Sequence, residues 1–466
     1  MDIKITRVRD WLYGFFMGRY YPLAVALIVT LGHISGFEFY LNILNVLLAV
    51  TALCICDSIR PLFTVIITFS YQITAEHSPA VPTYSDYYFT SWRLPVIISL
   101  GALVIFAFVY FVWRNRIVEK LSFKKTRLLI PSLILSGAFI LNGLFSKTHT
   151  AVALIFGVTQ AMIYLLLFLL FYLGVSERES TDELVDYLIY VALIVAYMLM
   201  IQMGHLFIFG DVLSGGGINS DNINLGWVTK NPLGAILVSL IPILFYGAVR
   251  KKCGWLYLVS AVMVWICSVL TCSRNALLFG TLVFATCLII ACFKGGERRR
   301  RFVGLTAFGI VGVILIVIIL REQLATLFSG ILNMGFDNNG RFKLWAQAWS
   351  LFCDNFLFGS GFFSIVDSDV YVAVGFMPTF AHNTIFELLA STGIVGLLAY
   401  LYYRLEIVKM ALVRPSLEKT FLTLAVLSVA LQSLLDAFVF FYYPVFLPIA
   451  ALAVLCRVCD GEAKNE

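Results

Sequence analysis

The sequence has little charge. Asp, Glu, Lys and Arg make up 13% of its 466 residues, about half the share found in a typical soluble domain. Apolar residues make up 61%, and the mean hydropathy is +0.93. One protein core could not bury that much apolar surface, so a soluble globular domain is excluded. The composition predicts a polytopic membrane protein, for which lipid is the solvent of much of the surface.

The sequence also lacks a cysteine framework and a histidine metal motif. Of its 10 cysteines, only Cys272 and Cys353 fall near the predicted outer face, so a secreted disulfide scaffold is excluded. Cys456 and Cys459 have Cys-x-x-Cys spacing, but the second pair that a zinc site needs is missing. The five histidines show no His-x-x-x-His spacing. These patterns predict no metal site.

Fourteen apolar runs are candidates for membrane helices, each compared with the ~20 residues that cross a bilayer. The predicted fold is therefore an all-α membrane bundle of about 14 transmembrane helices, with a range of 12 to 14. No internal repeat of 20–50 residues is found, so residues 1–466 are predicted to form a single membrane domain. Pro61–Thr74 and Pro444–Cys456 are short, and whether they cross fully stays open. The other runs are Tyr20–Ile34, Phe39–Cys56, Leu94–Trp113, Leu128–Phe145, Val152–Val175, Leu184–Phe209, Pro232–Val249, Gly254–Leu270, Asn275–Phe293, Phe302–Leu320, Ile385–Tyr403 and Phe421–Phe441.

The basic residues predict the sidedness of the chain, because Lys and Arg collect on the cytoplasmic side of short loops. With both termini inside, all but seven of the 33 Lys and Arg residues fall in inner segments. The run from Arg298 to Arg301 is explained as a stop signal against anionic lipid rather than as a nucleic-acid site. The seven outer cations are Arg93, Lys147, Lys230, Arg274, Arg321, Arg341 and Lys343.

One large outer loop, residues 321–384, interrupts the predicted membrane helices. Its Asn338-Asn339-Gly340 segment is a turn and helix-cap signal, and it predicts an amphipathic helix on the outer interface. Arg341 would begin this helix, where free backbone N–H groups already favour an anion. Arg341 is therefore a candidate phosphate ligand. The aromatic residues that suggest the helix are spaced three or four apart and are Phe342, Trp345, Trp349 and Phe352.

Three further outer cations are candidates for binding an anionic substrate. Arg274 lies where one span ends and the next begins, with almost no loop to carry it into water. Lys230 precedes Asn231-Pro232, a helix-start signal, and Arg321 opens the large loop. Snorkelling of the long side chain to the interface is the alternative explanation for Arg274.

His382 is the strongest histidine candidate for catalysis. All five histidines fall near predicted outer helix ends, but His382 ends the only large outer loop, beside Asn383. It also lies about one helix turn before Glu387. Thr384 and Glu387 have capping-box spacing at the head of the next helix, so Glu387 is either a structural cap or a site residue.

Two acidic features have separate explanations. Asp436 is the clearest acid inside a predicted span, and such a carboxylate is a functional candidate by default. Arg274 or His382 would be its partner. Asp367-Ser368-Asp369 imitates the Asp-x-Asp that holds a divalent metal in many nucleotide-sugar glycosyltransferases. Nucleotide sugars are cytoplasmic and this pair is predicted outside, so a solvated loop is the better explanation.

Several motifs between Lys230 and Gly396 resemble those of the O-antigen ligase and O-antigen polymerase superfamily. The first two hundred residues resemble that superfamily only in hydropathy. The motifs are Lys230-Asn231-Pro232-Leu233-Gly234, Thr271-Cys272-Ser273-Arg274, Gly340-Arg341-Phe342-Lys343-Leu344-Trp345, Phe358-Gly359-Ser360-Gly361-Phe362, His382-Asn383-Thr384, Glu387-Leu388-Leu389 and Thr392-Gly393-Ile394-Val395-Gly396.

The resemblance implies a glycosyltransferase that needs no metal and no cofactor. It would act on undecaprenyl-pyrophosphate-linked glycans at the outer face of the bacterial inner membrane. Arg274 and Arg341 would hold the donor pyrophosphate, and His382 would serve the acceptor hydroxyl. The expected substrate-binding residues are Lys230, Arg321, Asn383, Glu387 and Asp436.

Two activities share these motifs. A polymerase passes the growing chain to the next lipid-linked repeat unit, and a ligase passes the finished polymer to lipid A core. Fourteen spans rather than about twelve favour polymerisation, with ligation as the alternative. A lipid-linked oligosaccharide flippase is the second alternative, although the inverted repeats of many transporters are not found. The expected partners are the lipid bilayer, the lipid-linked oligosaccharide, a chain-length regulator and a flippase protein, and not a nucleic acid.

Overall fold

Apolar segments of this length fold as helices, because in lipid every backbone N–H and C=O group needs a partner within the protein. The computed structural model describes residues 2–72, 92–123, 125–147, 149–214, 217–304, 307, 318–319, 321–327, 340–365 and 380–464. Asp367, Asp369, His77 and most of the predicted span Phe302–Leu320 lie outside the described residues.

Most helices of the first half of the chain fall within or near predicted apolar runs, but the first helix, Asp2–Met17, was not predicted. A π-helical turn, Met162–Leu167, joins two helices into one continuous rod. The helices are α1 (Asp2–Met17), α2 (Tyr20–Ser35), α3 (Glu38–Ile55), α4 (Leu62–Thr68), α5 (Arg93–Arg114), α6 (Ile117–Lys120), α7 (Leu129–Ile140), α8 (Ala151–Ala161), α9 (Phe168–Leu173) and α10 (Thr181–Phe209).

The second half follows a pair of two-residue antiparallel strands, β1 (Leu213–Ser214) and β2 (Gly217–Ile218). Short 3-10 turns occur at Phe69–Gln72, Ser220–Asn222, Gly296–Arg298 and Phe438–Phe440. The remaining helices are α11 (Lys230–Arg250), α12 (Gly254–Leu270), α13 (Arg274–Lys294), α14 (Arg321–Leu327), α15 (Arg341–Asp354), α16 (Thr384–Leu412), α17 (Leu417–Gln432) and α18 (Tyr442–Lys464).

The fold agrees with the predicted all-α membrane protein, but the predicted count of 14 spans is not confirmed. Within the described ranges, eight helices are long and apolar enough to cross a bilayer. A ninth candidate span arises if the helices Arg7–Met17 and Tyr20–Ser35 form one span, with a bend of 69° between them. The eight are Glu38–Ile55, Arg93–Arg114, Ala151–Leu173, Thr181–Phe209, Lys230–Arg250, Arg274–Lys294, Thr384–Leu412 and Tyr442–Glu462.

The two short predicted spans have different outcomes. Pro61–Thr74 contains α4, whose seven residues are too few to cross a bilayer. Pro444–Cys456 falls inside α18, which has 23 residues and is long enough. The second run seemed short in the sequence because the helix continues beyond the apolar stretch into a polar end.

The predicted span Phe421–Phe441 is wrong at its C-terminal end. Helix α17 stops at Gln432, and turns with a 3-10 segment follow. The Ser433 hydroxyl accepts a hydrogen bond from Val439 N at 3.2 Å, so a side chain satisfies one backbone group of this irregular segment. Asp436 therefore lies in a non-helical segment after a helix rather than inside a span.

The described chain divides into two compact units. The first contains residues 1–121 and 171–333, and the second contains residues 122–170 and 334–466. In the first unit, α11 is the central helix and packs on α10, α12 and α13. In the second unit, α16 packs on α7 and α15, and α17 packs on α18.

Helix α16 of the second unit is broken at Gly393, which has φ 65° and ψ −162°. The chain that follows α15 enters this break and supplies the missing backbone partners. Four hydrogen bonds join the two segments: Ser360 N to Ala390 O at 2.7 Å, Gly361 N to Ser391 O at 3.0 Å, Ile394 N to Phe356 O at 2.9 Å, and Val395 N to Leu357 O at 3.2 Å. We call residues 356–361 with 390–395 the helix-break joint.

Two glycines make this close approach possible. A Cβ atom on Gly393 would lie 2.4 Å from Leu357 O, and one on Gly359 would lie 2.5 Å from the carbonyl carbon of Ser391. Both residues also have positive φ, which only glycine adopts readily. The Gly-x-Gly and Thr-Gly-Ile-x-Gly motifs are thus the two sides of one backbone joint.

Candidate functional site

The candidate site is built on the start of α16. Asn383 is the N-cap, and its side-chain oxygen accepts hydrogen bonds from Ile385 N at 2.8 Å and Phe386 N at 3.2 Å. These bonds satisfy backbone donors that a helix start leaves free. The predicted capping box of Thr384 and Glu387 is therefore wrong, because the cap lies one residue earlier.

Glu387 instead fixes the chain that leads into His382. Its side chain is fully buried. Oε2 accepts from Ala381 N at 2.8 Å, and Oε1 accepts from the Ser391 hydroxyl at 2.6 Å. The Ala381 carbonyl accepts from Trp345 Nε1 at 2.8 Å. The backbone N–H and C=O groups of Ala381, the residue before His382, therefore both have hydrogen-bond partners.

His382 has φ 48°, a left-handed conformation that is uncommon for residues other than glycine. Its Nδ1 lies 2.9 Å from Asp436 Oδ1. The His382 side chain is 40% exposed, whereas that of Asp436 is 5% exposed. The same Asp436 oxygen accepts from Ala437 N at 2.9 Å. A buried carboxylate thus holds a histidine ring that remains open to a substrate.

The segment that carries Asp436 is docked on the start of α16 by three further hydrogen bonds. Thr384 N donates to Ser433 O at 2.9 Å, and Asn383 Nδ2 donates to Leu434 O at 2.8 Å. The Thr384 hydroxyl donates to the Asp436 carbonyl at 3.5 Å. Because both segments are fixed by backbone contacts, the His382 and Asp436 side chains meet in one defined geometry.

Arg341 begins α15, as the sequence predicted, after Gly340 with φ 73°. Trp345 follows four residues later, so the two side chains lie on one face of the helix. The Trp345 ring stacks on Phe386, with centroids 5.2 Å apart and planes 12° apart. Within the described part of the chain, the Arg341 side chain has no hydrogen-bond or ion-pair partner. The helix face that carries Arg341 therefore contacts the His382 segment through Trp345.

The four aromatic residues predicted on α15 differ in how far they are buried within the protein. Phe352 is buried and Trp345 is half-buried, but Phe342 and Trp349 are 62% and 53% exposed. The buried face includes the smaller residues Leu344 and Ala348. Aromatic residues are prominent in the sequence, but the shorter side chains fill the packed face of this helix.

The predicted cations of the first unit lie at helix starts. Arg274 is the first residue of α13, after the N-cap Ser273, whose hydroxyl accepts from Ala276 N. Cys272 turns the chain with φ 54°, so the connection from α12 has almost no loop, as predicted. Arg321 begins the short helix α14 and lies 3.5 Å from Glu322, with its side chain 77% exposed.

Lys230 has a partner that the sequence did not predict. Its Nζ donates to Asp221 Oδ1 and to the Ser220 hydroxyl, both at 2.8 Å. The hydrogen bond and the charge of Lys230 hold the pKa of the Asp221 carboxyl below its ordinary value. Lys230 thus contributes to a local ion pair at the start of α11.

The structure brings together four of the predicted site residues, His382, Asn383, Glu387 and Asp436, and it positions Arg341 on a helix that contacts them. Lys230, Arg274 and Arg321 belong to the other compact unit. Trp345 and Ser391 were missed as supporting residues. The four-residue spacing of Arg341 and Trp345 is a signal that points to a shared helix face, but nothing in the sequence pairs Trp345 with Ala381.

No three His, Cys, Asp or Glu side chains in the described ranges are grouped so that they could hold a metal ion. Asp367 and Asp369 are not among the described residues.

Comparison with known proteins gives one family. A family model described as O-antigen ligase matches residues 258–401. The matched range contains Arg274, Arg341, His382 and both sides of the helix-break joint. None of the curated proteins compared matches the chain. Residues 258–401 are thus similar to the O-antigen ligase family, and the resemblance to the O-antigen ligase and polymerase superfamily is confirmed over that part of the chain.

Proposed function

We propose that this protein is a membrane glycosyltransferase that transfers a glycan from an undecaprenyl-pyrophosphate carrier to an acceptor hydroxyl. The observation that carries the proposal is the His382–Asp436 pair, with a partly exposed imidazole on a buried carboxylate at the head of α16. His382 belongs to the range that matches the O-antigen ligase model. The reaction would take place at the outer face of the bacterial inner membrane, as the predicted sidedness requires.

In this mechanism His382 is the general base. When Nδ1–H donates to Asp436, the other ring nitrogen, Nε2, is left as the proton acceptor. The acceptor oxygen attacks the anomeric carbon while its proton passes to Nε2. The bond between the anomeric carbon and the pyrophosphate oxygen breaks, the configuration inverts, and undecaprenyl pyrophosphate leaves. Asp436 orients the ring and stabilises the imidazolium that forms.

Arg341 would stabilise the negative charge that develops on the leaving pyrophosphate. A guanidinium forms charge-assisted, partly bidentate hydrogen bonds to phosphate oxygens. Its position at the first turn of α15 adds the free N–H groups of the helix start to the same site. Arg274 has the same proposed role by resemblance, and Lys230 and Arg321 remain proposed substrate-binding residues.

Glu387 and Asn383 act on the substrate only through His382 in this proposal. Glu387 is fully buried and holds Ala381, and Asn383 caps α16 and holds the segment of Asp436. A base contributes to catalysis only if it lies within hydrogen-bond reach of the proton that it accepts. The two residues would therefore position the imidazole rather than bind sugar directly.

Two acceptors are compatible with this chemistry. Polymerisation uses a second lipid-linked repeat unit, and we retain it as the proposed reaction. The span count that favoured it is not confirmed, and the description of the matching family as O-antigen ligase favours lipid A core as the acceptor. The identity of the acceptor therefore distinguishes the two activities by experiment.

The test uses the full chain purified into nanodiscs and given lipid-linked repeat units in excess EDTA. We expect longer glycans, because arginines rather than a metal would neutralise the pyrophosphate. A parallel reaction with lipid A core measures ligation: product on lipid A alone makes the protein a ligase, and product on neither acceptor contradicts the proposed glycosyl transfer. Loss of activity in EDTA with rescue by Mg²⁺ or Mn²⁺ would contradict the metal-free mechanism and return attention to Asp367 and Asp369.

A further inference from the structure

Phenylalanine rings form two layers in the second unit, close to His382. The inner layer is buried and consists of Phe139, Phe362 and Phe440, each at most 2% exposed. An outer layer, only partly buried, rests against it. We call the outer layer the aromatic face, and it consists of Phe156, Phe363, Phe380 and Phe441.

The rings of the aromatic face form a continuous surface. Centroids are 4.7 Å apart for Phe156 and Phe363, 5.5 Å for Phe363 and Phe380, and 5.3 Å for Phe380 and Phe441. These separations fall in the favourable range for aromatic pairs. Four separate chain segments contribute one ring each, so the surface is set by the tertiary fold and not by one helix.

Phe363 is strained. Its φ is 64°, in the left-handed region that a bulky residue rarely adopts. Such strain persists only where the surroundings hold the residue, and it clusters at ligand-binding and catalytic positions. A glycine would fit this backbone without strain, so the phenylalanine indicates a use for the ring itself.

The aromatic face combines residues near the proposed base with a residue of a candidate membrane span. Phe380 lies two residues before His382, and Phe441 lies five residues after Asp436. Phe156 is the sixth residue of the candidate span Ala151–Leu173, roughly 7 Å along the helix from its start at 1.5 Å per residue. The Phe156 and Phe380 centroids are 6.0 Å apart, so the face brings a ring from this apolar helix next to the segment that carries His382.

We propose that the aromatic face binds the hydrocarbon chain of the polyprenyl-linked donor next to its pyrophosphate. This inference rests on the proposed function, because it assigns the lipid part of the same donor. The face offers apolar ring surface without side-chain donors or acceptors, which suits an isoprenoid chain. Sugar hydroxyls would lose their water partners on this apolar surface and find no replacements.

The first experiment does not depend on glycosyl transfer. The full chain in nanodiscs is irradiated with undecaprenyl phosphate that carries a diazirine on its isoprenoid chain, and labelled peptides are identified by mass spectrometry. We expect label on the peptides that contain Phe156, Phe363 and Phe380, and competition by unlabelled undecaprenyl phosphate. Label spread evenly over lipid-exposed helices, without competition, would contradict the proposal.

The second experiment measures kcat/KM for donors with undecaprenyl and with short prenyl chains. Phe363→Gly removes the ring while relieving the backbone strain, and Phe441→Ala is an independent variant for the same surface. We expect the preference for the long chain over the short chain to fall about tenfold in each, as for loss of a well-packed aromatic contact. Ile155→Ala is the matched control, because Ile155 is 66% exposed on the same helix as Phe156, and it should keep the wild-type preference.

The outcomes separate this inference from the proposed function. Specific labelling of the aromatic face without any glycosyl transfer would contradict the proposed enzyme while supporting the lipid site. Transfer with an unchanged chain-length preference in both phenylalanine variants would contradict the lipid site alone. A raised KM for a water-soluble acceptor glycan, with unchanged chain-length preference, would assign the face to sugar binding and overturn the proposal.

Discussion

Two ion pairs at helix starts, one in each compact unit, have nearly the same length but different surroundings. His382 and Asp436 are 2.9 Å apart in the second unit, and Lys230 and Asp221 are 2.8 Å apart in the first. The Asp436 side chain is 5% exposed, whereas that of Asp221 is 79% exposed. Distance alone therefore does not tell which pair is functional, and burial of the carboxylate is the informative difference.

The physical consequence follows from solvation. An exposed ion pair contributes about 0–1 kcal/mol, because water and salt screen it. A buried carboxylate is costly unless its oxygens have partners, and Asp436 has two donors for one oxygen, the His382 ring and Ala437 N. The exposed Lys230–Asp221 pair can therefore be broken with little effect on stability. The buried His382–Asp436 pair, in contrast, holds the imidazole ring in one orientation.

The largest expected effect is the loss of turnover in Asp436→Asn. An asparagine amide can donate to Nδ1 and so favour the wrong tautomer, with Nε2 protonated and unable to act as a base. Turnover should fall by about 10²-fold or more. Asp460→Asn is the matched control, because Asp460 pairs with Arg127 in the same unit, well separated along the chain from α16. Equal turnover of the two variants would mean that burial of the carboxylate does not matter for catalysis.

The next effect is on stability, at the helix-break joint that supports the His382 segment. Gly393→Ala introduces a Cβ that collides with Leu357 O and forces a left-handed alanine. We expect a loss of about 2 kcal/mol or more in the free energy of unfolding, seen as a lower Tm of the protein in detergent. Gly137→Ala is the control in the same unit, since a Cβ there meets nothing within 4 Å. A similar Tm for both variants would contradict the role of the joint.

Arg341→Lys should reduce turnover by about 10-fold, the effect of losing about 1.4 kcal/mol in the transition state. Lysine keeps the charge but loses the planar fork that binds two phosphate oxygens. Arg116→Lys, at a residue that is 77% exposed in the other unit, controls for the substitution itself. Wild-type turnover of Arg341→Lys with normal expression would make Arg341 an interfacial anchor.

The smallest effect is expected for Asp221→Asn, which breaks the exposed pair. The folded-state pKa of Asp221 is lowered by Lys230, so the pair stabilises the fold above the unfolded pKa and loses that contribution as pH falls through the folded pKa. The variant should therefore differ slightly in Tm at neutral pH and not at all in strong acid. A large Tm difference at neutral pH would contradict the distinction between the two pairs.

Composition and hydropathy predicted the membrane class and most helices, because long apolar runs have few other solutions in lipid. They failed where the backbone is irregular. Phe421–Phe441 was predicted as one span because its apolar run is continuous, yet the chain leaves the helix at Gln432. Hydropathy values do not show where a side chain takes the place of a helix hydrogen bond. Here the Ser433 hydroxyl accepts the hydrogen bond from the Val439 backbone N–H.

The sequence predicts which residues form the candidate site, but not which hydrogen bonds and contacts join them. His382 ends the large outer loop and Asp436 is an acid inside a predicted span, so the sequence alone marks both, with Arg274 left as an equal partner for Asp436. The role of Glu387 was not predictable, because its partner Ala381 N is a backbone atom in a loop. The glycines of the joint were recognisable as motifs, but only the folded chain shows that they meet.

The most direct test of the central claim is the turnover of His382→Ala in nanodiscs with lipid-linked repeat units and lipid A core as acceptors. If His382 is the general base, transfer should fall by about 10²–10⁴-fold, the usual contribution of a positioned base, while binding of the labelled undecaprenyl phosphate persists. Wild-type turnover of His382→Ala would contradict the assignment of His382 as the base.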